Sequence, residues 1–491
     1  MEGKYRILIV DAEAASRNHI RNVLEVDADF VIEEAESGDE AFRRMKKNVP
    51  DIVIVDQALP DMNGLAFCSR LKEDPESPLA NTYLVLVGGE AEGVCMASCI
   101  QAGADDVLQK PVNPEELMAR VKVGRRVAFH MKKTELKARK AFREIDVLLI
   151  QEGGCAPGYN PVTAFITYTL ETMGREVFAT REGFRSLVSG RREDFVRLVY
   201  DPELYKKLDY LPGVFHAAPL VEWRGALLRG ERYREFVKDD MQKKGAATIK
   251  KRKVRAIIAI GGNGTFKGIR SLCEILPTSI QAFFVPVTID SDVAGTDCIG
   301  QHTGVEMGAE KIRCYMADAR THKRTYIVEM MGASSGFHAL NSCLGARAHL
   351  AVLPGMEIDH RAVVEAVNRR GECVIVVAEG YRKAEREAEG SDLNAAEYFY
   401  KELVDTGIPV RRKVVCEPFS RDIRGAAPNN QDVTLAQRMA YNVASYLKAG
   451  TSRLMPAVLS GREHAIPFNE ICTDNMKAAD LLVLSNRLTN T

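Results

Sequence analysis

No CxxC pair occurs among the eleven cysteines, and no metal-ligand spacing occurs among the nine histidines. The odd cysteine count, scattered over 491 residues, argues against a disulfide framework. Cys95 and Cys99, four apart on an expected helix, read as reduced, half-buried thiols. The histidine spacing offers no zinc site. An excess of either charge is also missing. Lys+Arg and Asp+Glu both number 67, the net charge is +0, and nothing favours nucleic acid or an anionic membrane as partner. The start, MEGKYRILIVD, lacks a charged segment followed by an apolar stretch of signal length. No later run is long enough to span a bilayer, so no membrane partner and a cytoplasmic location are expected. Internal repeats and low-complexity tracts are absent.

At 46% hydrophobic residues the chain can bury a sizeable core, and its length suggests about two to four domains. The most informative stretch is 254–297. An apolar run of strand length at 256–260 meets Gly261-Gly262-Asn263-Gly264-Thr265, and helical spacing follows in Ile269, Leu272 and Ile275. Glycines there let backbone N–H groups approach a phosphate, and the helix N-terminus adds partial positive charge. The spacing is neither a dinucleotide fingerprint nor a Walker loop. A second strand at 283–287 then delivers Thr288, Asp290 and Asp292, carboxylates suited to activating a hydroxyl for phosphoryl transfer.

Residues 1–125 alternate strand-like runs at 6–10, 51–55 and 83–87 with helical patterns, the doubly wound α/β signature. Asp11 and Asp56 end strands, and Lys110 precedes Pro111, a set able to hold a divalent cation and a phosphoryl group. This segment resembles the receiver domain of response regulators, which implies a flavodoxin-like fold. The likeness makes Asp56 the phosphoacceptor, with Asp11 and Lys110 beside it, Asp11 and Asp56 as Mg²⁺ ligands, and a sensor histidine kinase or small phosphodonor as partner. Ala12 stands where the family has a second acid, with Glu13 near. Gly88 replaces the switch hydroxyl and Val107 the switch aromatic. Two readings follow: a phosphorylated switch, or a receiver kept for dimerisation or docking. Residues 126–144 form a connector of good helix formers without glycine or proline, either a plain spacer or a pairing helix with a thin stripe of Val127, Met131 and Phe142.

Residues 145–491 resemble the phosphofructokinase family, whose GGDGS-like and TIDND-like motifs match GGNGT and TIDSD at this separation. The resemblance implies a two-lobed α/β domain that transfers a phosphoryl group from ATP, with Mg²⁺, to the 1-hydroxyl of fructose 6-phosphate. A strand at 145–150 leads to GGCAPGYN, which places Gly154 at the nucleotide with Gly262, Asn263, Gly264 and Thr265. A further family segment carries Gly183. Asp290 is implied as the base. Thr288, Asp292, Arg324, Met331, Glu379 and Arg424 are implied around the sugar phosphate, with Arg421 close by. Because the family builds this site between subunits, a homo-oligomer is implied.

Several positions depart from the family pattern. Cys155 replaces an acid, Asn263 the magnesium-associated aspartate, Val237 and Ala333 two arginines, and Ser291 an asparagine. Losing one preorganised donor typically costs about 10² to 10³ in rate, so a catalytically silent sugar-phosphate or nucleotide sensor is the rival reading, and a dimerising scaffold a third. Gly264 and Val287 stand where pyrophosphate-using relatives carry an aspartate and a lysine, which favours ATP. The basic run at 243–255 reads as solvated surface, since it lacks the interleaved aromatics of a nucleic-acid site.

Overall fold

The structure, a computed structural model, describes residues 4–73, 77–88, 96–228, 232–418 and 421–473, with backbone alone for 78 and 130–141. Cys95 and the side chain of Met131 fall outside what is described; Cys99 is buried on the helix Met96–Gln101. The chain divides into two compact units, 1–138 and 139–491.

In the first unit, strands β1 (Tyr5–Val10), β2 (Phe30–Ala35), β3 (Ile52–Asp56), β4 (Tyr83–Gly88) and β5 (Asp106–Gln109) form a parallel sheet in the order β2-β1-β3-β4-β5. This is the flavodoxin-like doubly wound order, whose crevice opens at the carboxyl ends of β1 and β3. Alternate side chains feed two cores: Leu8, Val10, Val53 and Val55 enter one, and Ile7, Ile9, Ile52 and Ile54 the other. Burial on both faces explains why these strands read as unbroken apolar runs. The last helix runs from Pro114 to Ala141 as one piece. Its start is capped by the Asn113 carboxamide, which accepts from the N–H groups of Glu115 and Glu116.

The second unit contains β6 (Val147–Glu152), β7 (Val177–Thr180), β8 (Phe195–Val199), β9 (Val214–His216), β10 (Ala256–Gly261), β11 (Gln281–Pro286), β12 (Thr325–Met330), β13 (Leu350–Val352), β14 (Cys373–Ala378), β15 (Val414–Pro418), β16 (Leu454–Leu459) and β17 (Arg462–Pro467). One sheet has the order β17-β16-β11-β10-β6-β7-β8-β9, the other β13-β14-β12-β15. From β6 the chain moves outward to β7, β8 and β9 on one side and later to β10, β11 and β16 on the other. The switch point of the larger sheet therefore lies between β6 and β10, where the crevice of an open α/β sheet binds ligands. One continuous core joins the sheets, from Val147, Ile258 and Val285 to Val328 and Val376, so the two lobes are packed as one unit.

Two local expectations are corrected. The strand expected at 145–150 starts at Val147 and continues through Gln151 and Glu152. Both polar side chains are buried there with partners: the Gln151 amide donates to Thr163 Oγ1 at 2.5 Å, and Glu152 accepts from the Phe184 N–H at 2.8 Å. The basic run is solvated at its lysines, but Arg252 is drawn inward. Its guanidinium lies 4.1 Å from the Phe195 ring centroid and donates to the carbonyls of Phe142, Gly190 and Arg191.

Candidate functional site

Sheet register brings the two glycine turns together. Gly261 is opposite both Glu152 of β6 and Pro286 of β11, so the chain leaves all three strands at one level, into Gly153-Gly154, Gly262-Asn263 and Val287-Thr288. A cavity of about 460 Å³ opens there. It is lined by Gly154, Gly262, Asn263, Gly264, Thr265, Thr288, Asp290, Asp292 and Arg424, which unites most of the residues expected from the sequence.

Glycine is required at two points in this frame. A Cβ on Gly261 would stand 2.2 Å from both the Glu152 carbonyl and Thr265 Oγ1. Gly183 has φ +51, and a Cβ there would stand 2.0 Å from Glu152 Oε2. Glu152, passed over in the sequence, organises the cleft floor. Its Oε2 accepts from the Phe184 N–H at 2.8 Å, and its Oε1 from the Tyr233 N–H at 2.7 Å. An acid directly ahead of a double glycine was the available signal.

Asp290 is buried, 8% exposed, on the turn after β11. Its N–H donates to Thr288 Oγ1 at 3.0 Å and its carbonyl accepts from the Ser335 hydroxyl, which fixes the backbone. Carboxyl oxygen Oδ1 has no hydrogen-bond partner among the described residues. Burial, then the neighbouring Asp292 carboxylate, push its pKa up to about 6, against the pull of Arg424, with Glu379 adding to the rise and Arg232 opposing it. A carboxyl tuned toward neutral pH with an uncommitted oxygen is suited to take a proton from a hydroxyl. Ser291 holds the next position at φ +49, a left-handed conformation that asparagine adopts more readily, with its hydroxyl donating to Gln301 Oε1 at 2.8 Å.

The glycine turn after β10 is partly committed already. The Thr265 hydroxyl donates to the Glu152 carbonyl at 2.8 Å, so Thr265 has its backbone N–H to offer at the start of the helix Asn263–Ile275. Asn263 donates through Nδ2 to the Thr473 carbonyl at 3.1 Å, while its Oδ1 is buried without a partner among the described residues. Among the described residues nothing lies within 4 Å of a Cβ placed on Gly264.

On the second sheet, Met330 pairs with Ala378, which places Met331 and Glu379 side by side. Neither lines the cavity. Glu379 Oε1 accepts from the Ala333 N–H at 2.5 Å, with Ala333 at φ +48, so this carboxylate supports the turn after β12. Arg324 stands at the other end of β12, about 20 Å of extended strand from Met331, and 3.9 Å from the Asp318 carboxylate. Within one chain it is outside the cleft, and so is Arg421. Arg232, Tyr233 and Lys267 line the cleft without having been singled out in the sequence.

The receiver unit has a separate acidic pocket. Val10 pairs with Val55, so Asp11 and Asp56 leave adjacent strands together, both buried. Lys110 Nζ lies 2.7 Å from Asp56 Oδ1, and Asp11 Oδ1 accepts from the Glu13 N–H at 2.8 Å. Glu13 itself is exposed at the start of the helix Ala14–Leu24. Gly88 ends β4 and Val107 is buried in β5. Among the described residues no group of three or more acids, histidines or cysteines is arranged to hold a metal ion by itself.

Comparisons with known proteins agree with this geometry. A phosphofructokinase family model matches residues 146–447, and a response regulator receiver domain model matches residues 7–122. The ATP-dependent 6-phosphofructokinase 1 of Thermus thermophilus is 29% identical over 324 residues, 65% of this chain and 91% of that protein. The ATP-dependent 6-phosphofructokinase of Thermotoga neapolitana is 29% identical over 331 residues, 66% of this chain and 93% of that protein. Among solved structures, the pyrophosphate-dependent phosphofructokinase from Nitrosospira multiformis superposes with TM-score 0.55 at 16% identity, over 69% of this chain and 87% of its own. The phosphofructokinase from Saccharomyces cerevisiae gives 0.57 at 19%, over 70% of this chain, which spans 47% of the yeast chain. Likeness at such identities speaks for the fold. The chain belongs to the phosphofructokinase family and carries a response regulator receiver domain ahead of its phosphofructokinase domain.

Proposed function

We propose that the second unit is a 6-phosphofructokinase that transfers the terminal phosphoryl group of ATP to the 1-hydroxyl of fructose 6-phosphate. The observation that carries the reading is Asp290: buried, raised to a pKa of about 6, and with Oδ1 uncommitted among the described residues, in a cleft walled by two glycine turns. Asp290 takes the hydroxyl proton as the sugar oxygen attacks the terminal phosphorus. The bond from that phosphorus to the bridging oxygen breaks, and ADP leaves. Backbone N–H groups at the start of the helix Asn263–Ile275 face the donor phosphates. Arg424 and Thr288 hold the sugar phosphate and hydroxyls, and Arg324 serves the cleft of a second copy in a homo-oligomer.

Asn263 Oδ1, without a partner among the described residues, and the Asp292 carboxylate fit a magnesium ion bound mainly through donor phosphates, the usual mode for that ion. When bound, it neutralises charge on the transferring group. The space left open at Gly264 by the described residues gives room for an adenosine moiety, and the uncharged Val287 offers no cation to hold pyrophosphate. The named ATP-dependent relatives support the same donor.

In the receiver unit, a histidine kinase or small phosphodonor phosphorylates Asp56, with Asp11 and Lys110 beside it. A second reading, a sugar-phosphate sensor without turnover, is favoured by the missing charges at Asn263, Val237 and Ala333, and by Glu379 facing the Ala333 backbone. The deciding assay offers fructose 6-phosphate with ATP or pyrophosphate. Turnover with ATP, abolished by Asp290→Ala, is expected. Tight binding of fructose 6-phosphate in calorimetry without turnover would establish the sensor, and a faster rate with pyrophosphate would overturn the donor.

A further inference from the structure

The peptide between Asp290 and Ser291 is held from two sides by buried polar groups. Its carbonyl, that of Asp290, accepts from the Ser335 hydroxyl on the turn after β12 of the second sheet, a hydrogen shared with the Gly332 carbonyl at 3.0 Å. Ser335 is 2% exposed, and its oxygen accepts from the Phe337 N–H at 3.3 Å, so the first turn of the helix Phe337–Ala346 aims it. On the other side Ser291, buried at φ +49, donates to Gln301 Oε1 at 2.8 Å. Gln301 opens the helix Gln301–His322 and is pinned by two further bonds: Oε1 accepts from the Cys298 N–H at 2.9 Å, and Nε2 donates to Asp297 Oδ1 at 3.0 Å. A backbone N–H can only donate, so Cys298 fixes which end of the carboxamide faces Ser291. Asp297 is tied in turn to β16, its N–H donating to the Val458 carbonyl at 2.7 Å. Ser291, Gln301 and Ser335 are outside the cleft lining, whereas Asp290 and Asp292, on either side of Ser291, are part of it.

A residue other than glycine resists a left-handed backbone, asparagine less than most. Serine stands at 291, and a buried hydrogen bond holds it there. Rotation of the 290–291 peptide would swing both neighbouring carboxylates, so the group that locks this plane sets where they point. We propose that Gln301 and Ser335 are positioning residues, which lock the 290–291 peptide and thereby aim Asp290 and Asp292 into the cleft. The assignment rests on reading Asp290 as the proton acceptor and extends it to two side chains that touch no reactant. Ser291 and Gln301 work as a pair: the carboxamide supplies by an outside contact the backbone hold that asparagine or glycine at 291 would supply by preference. A buried network with its groups satisfied fixes one geometry, which is what a base that must meet one hydroxyl requires.

The test measures turnover of fructose 6-phosphate with ATP, and hydrogen exchange over residues 287–301, in the full-length protein. The variants are Gln301→Ala, Ser335→Ala, and Gln301→Ala combined with Ser291→Gly or with Ser291→Asn. Each single variant lowers kcat by about tenfold to a hundredfold, the scale of a small misplacement of a reacting group, leaves KM within about threefold, and quickens exchange over 287–301. Glycine or asparagine at 291 regains most of the kcat lost in Gln301→Ala, because either accepts the left-handed backbone without an anchor. Gln301→Ala also strands the Cys298 N–H, so Ser291→Ala, which removes only the hydroxyl contact, must give the same loss and replaces it should that variant fail to fold. A kcat within about twofold of wild type in either single variant, a loss that falls on KM instead, or a Gln301→Ala loss that neither residue at 291 repairs, overturns the proposal. If wild type itself shows no turnover, the reading of Asp290 as base falls and exchange decides the rest. Quickened exchange that glycine or asparagine at 291 repairs keeps the lock; unchanged or unrepaired exchange overturns it.

Discussion

The two units each bury an aspartate at the carboxyl end of a strand, and they treat it in opposite ways. Asp56 of the receiver is 4% exposed and ion-paired to Lys110 at 2.7 Å; Asp290 of the phosphofructokinase domain is 8% exposed and keeps one oxygen partnerless among the described residues. A buried carboxylate with a cation at hand has its charge compensated, which suits the proposed phosphoacceptor. A buried carboxylate crowded by a second one is pushed toward the neutral form, which suits a group that must gain and lose a proton. Burial alone distinguishes neither role. The partner does.

The largest expected effect comes from removing the proposed proton acceptor. Asp290→Asn should cut turnover by about 10² to 10⁴, the range for a lost general base. The same change should stabilise the fold above neutral pH. Because the folded pKa, about 6, stands above the ordinary 3.8, the native contribution of Asp290 is present below 3.8 and is lost as pH rises through 6. Denaturant melts at pH 8 should show the variant ahead by at most about 3 kcal/mol, and at pH 4 the gain should vanish. A variant less stable at pH 8 would refute the account of a strained acid. For wild type, turnover should rise with pH through about 6 as the base ionises.

The opposite treatment of Asp56 is broken by Lys110→Ala, which leaves a buried carboxylate without its ammonium. Unfolding of the receiver unit should become easier by about 1–3 kcal/mol, since Lys110 is itself one-third exposed. Asp56→Asn in the same background should recover much of that loss; no recovery would mean the pair is not what stabilises the pocket. Gly264→Asp should leave the melting temperature alone, because an added Cβ meets nothing within 4 Å among the described residues, and should weaken ATP by about tenfold through like charge. Equal ATP affinity in calorimetry would remove Gly264 from the donor site. The smallest effect is expected from coupling. With Gly88 and Val107 in place of the switch residues, beryllofluoride on the receiver should change sugar-phosphate affinity or turnover by less than about tenfold, with Asp56→Asn as the blank. A hundredfold response would reveal a switch that uses other residues.

Much of the cleft was legible because glycine turns and strand-end acids are local signals: Gly261 to Thr265 and Thr288 to Asp292 lie where the pattern put them, and register then joined them. Arg232 was not legible, since an arginine in a polar segment has no local mark and its place beside Gly154 on the cleft wall is set by the fold. Arg324 carried a signal that could have been weighed. Six strand residues separate it from Met331, so one chain cannot bring both to the same end of β12. The doubly wound class of the receiver was legible in its alternation and its flavodoxin-like order only through the family likeness, whereas the extension of β6 into Gln151 and Glu152 was not legible, because their partners, Thr163 and Phe184, are polar contacts that composition hides.

The wiring of Glu152 has a consequence for how such a chain can drift. The two N–H donors it satisfies belong to the segments that carry Gly183 and Arg232, and none of the cleft's altered positions takes part. Val237 is 69% exposed, and an added Cβ at Gly264 would meet none of the described residues within 4 Å. Chemistry and scaffold are therefore separable here. Substitutions on the rim can retune or silence the reaction while the frame stays folded. Glu152→Gln, nearly isosteric, would turn an amide donor toward a backbone donor and disturb the frame with every reacting group still in place.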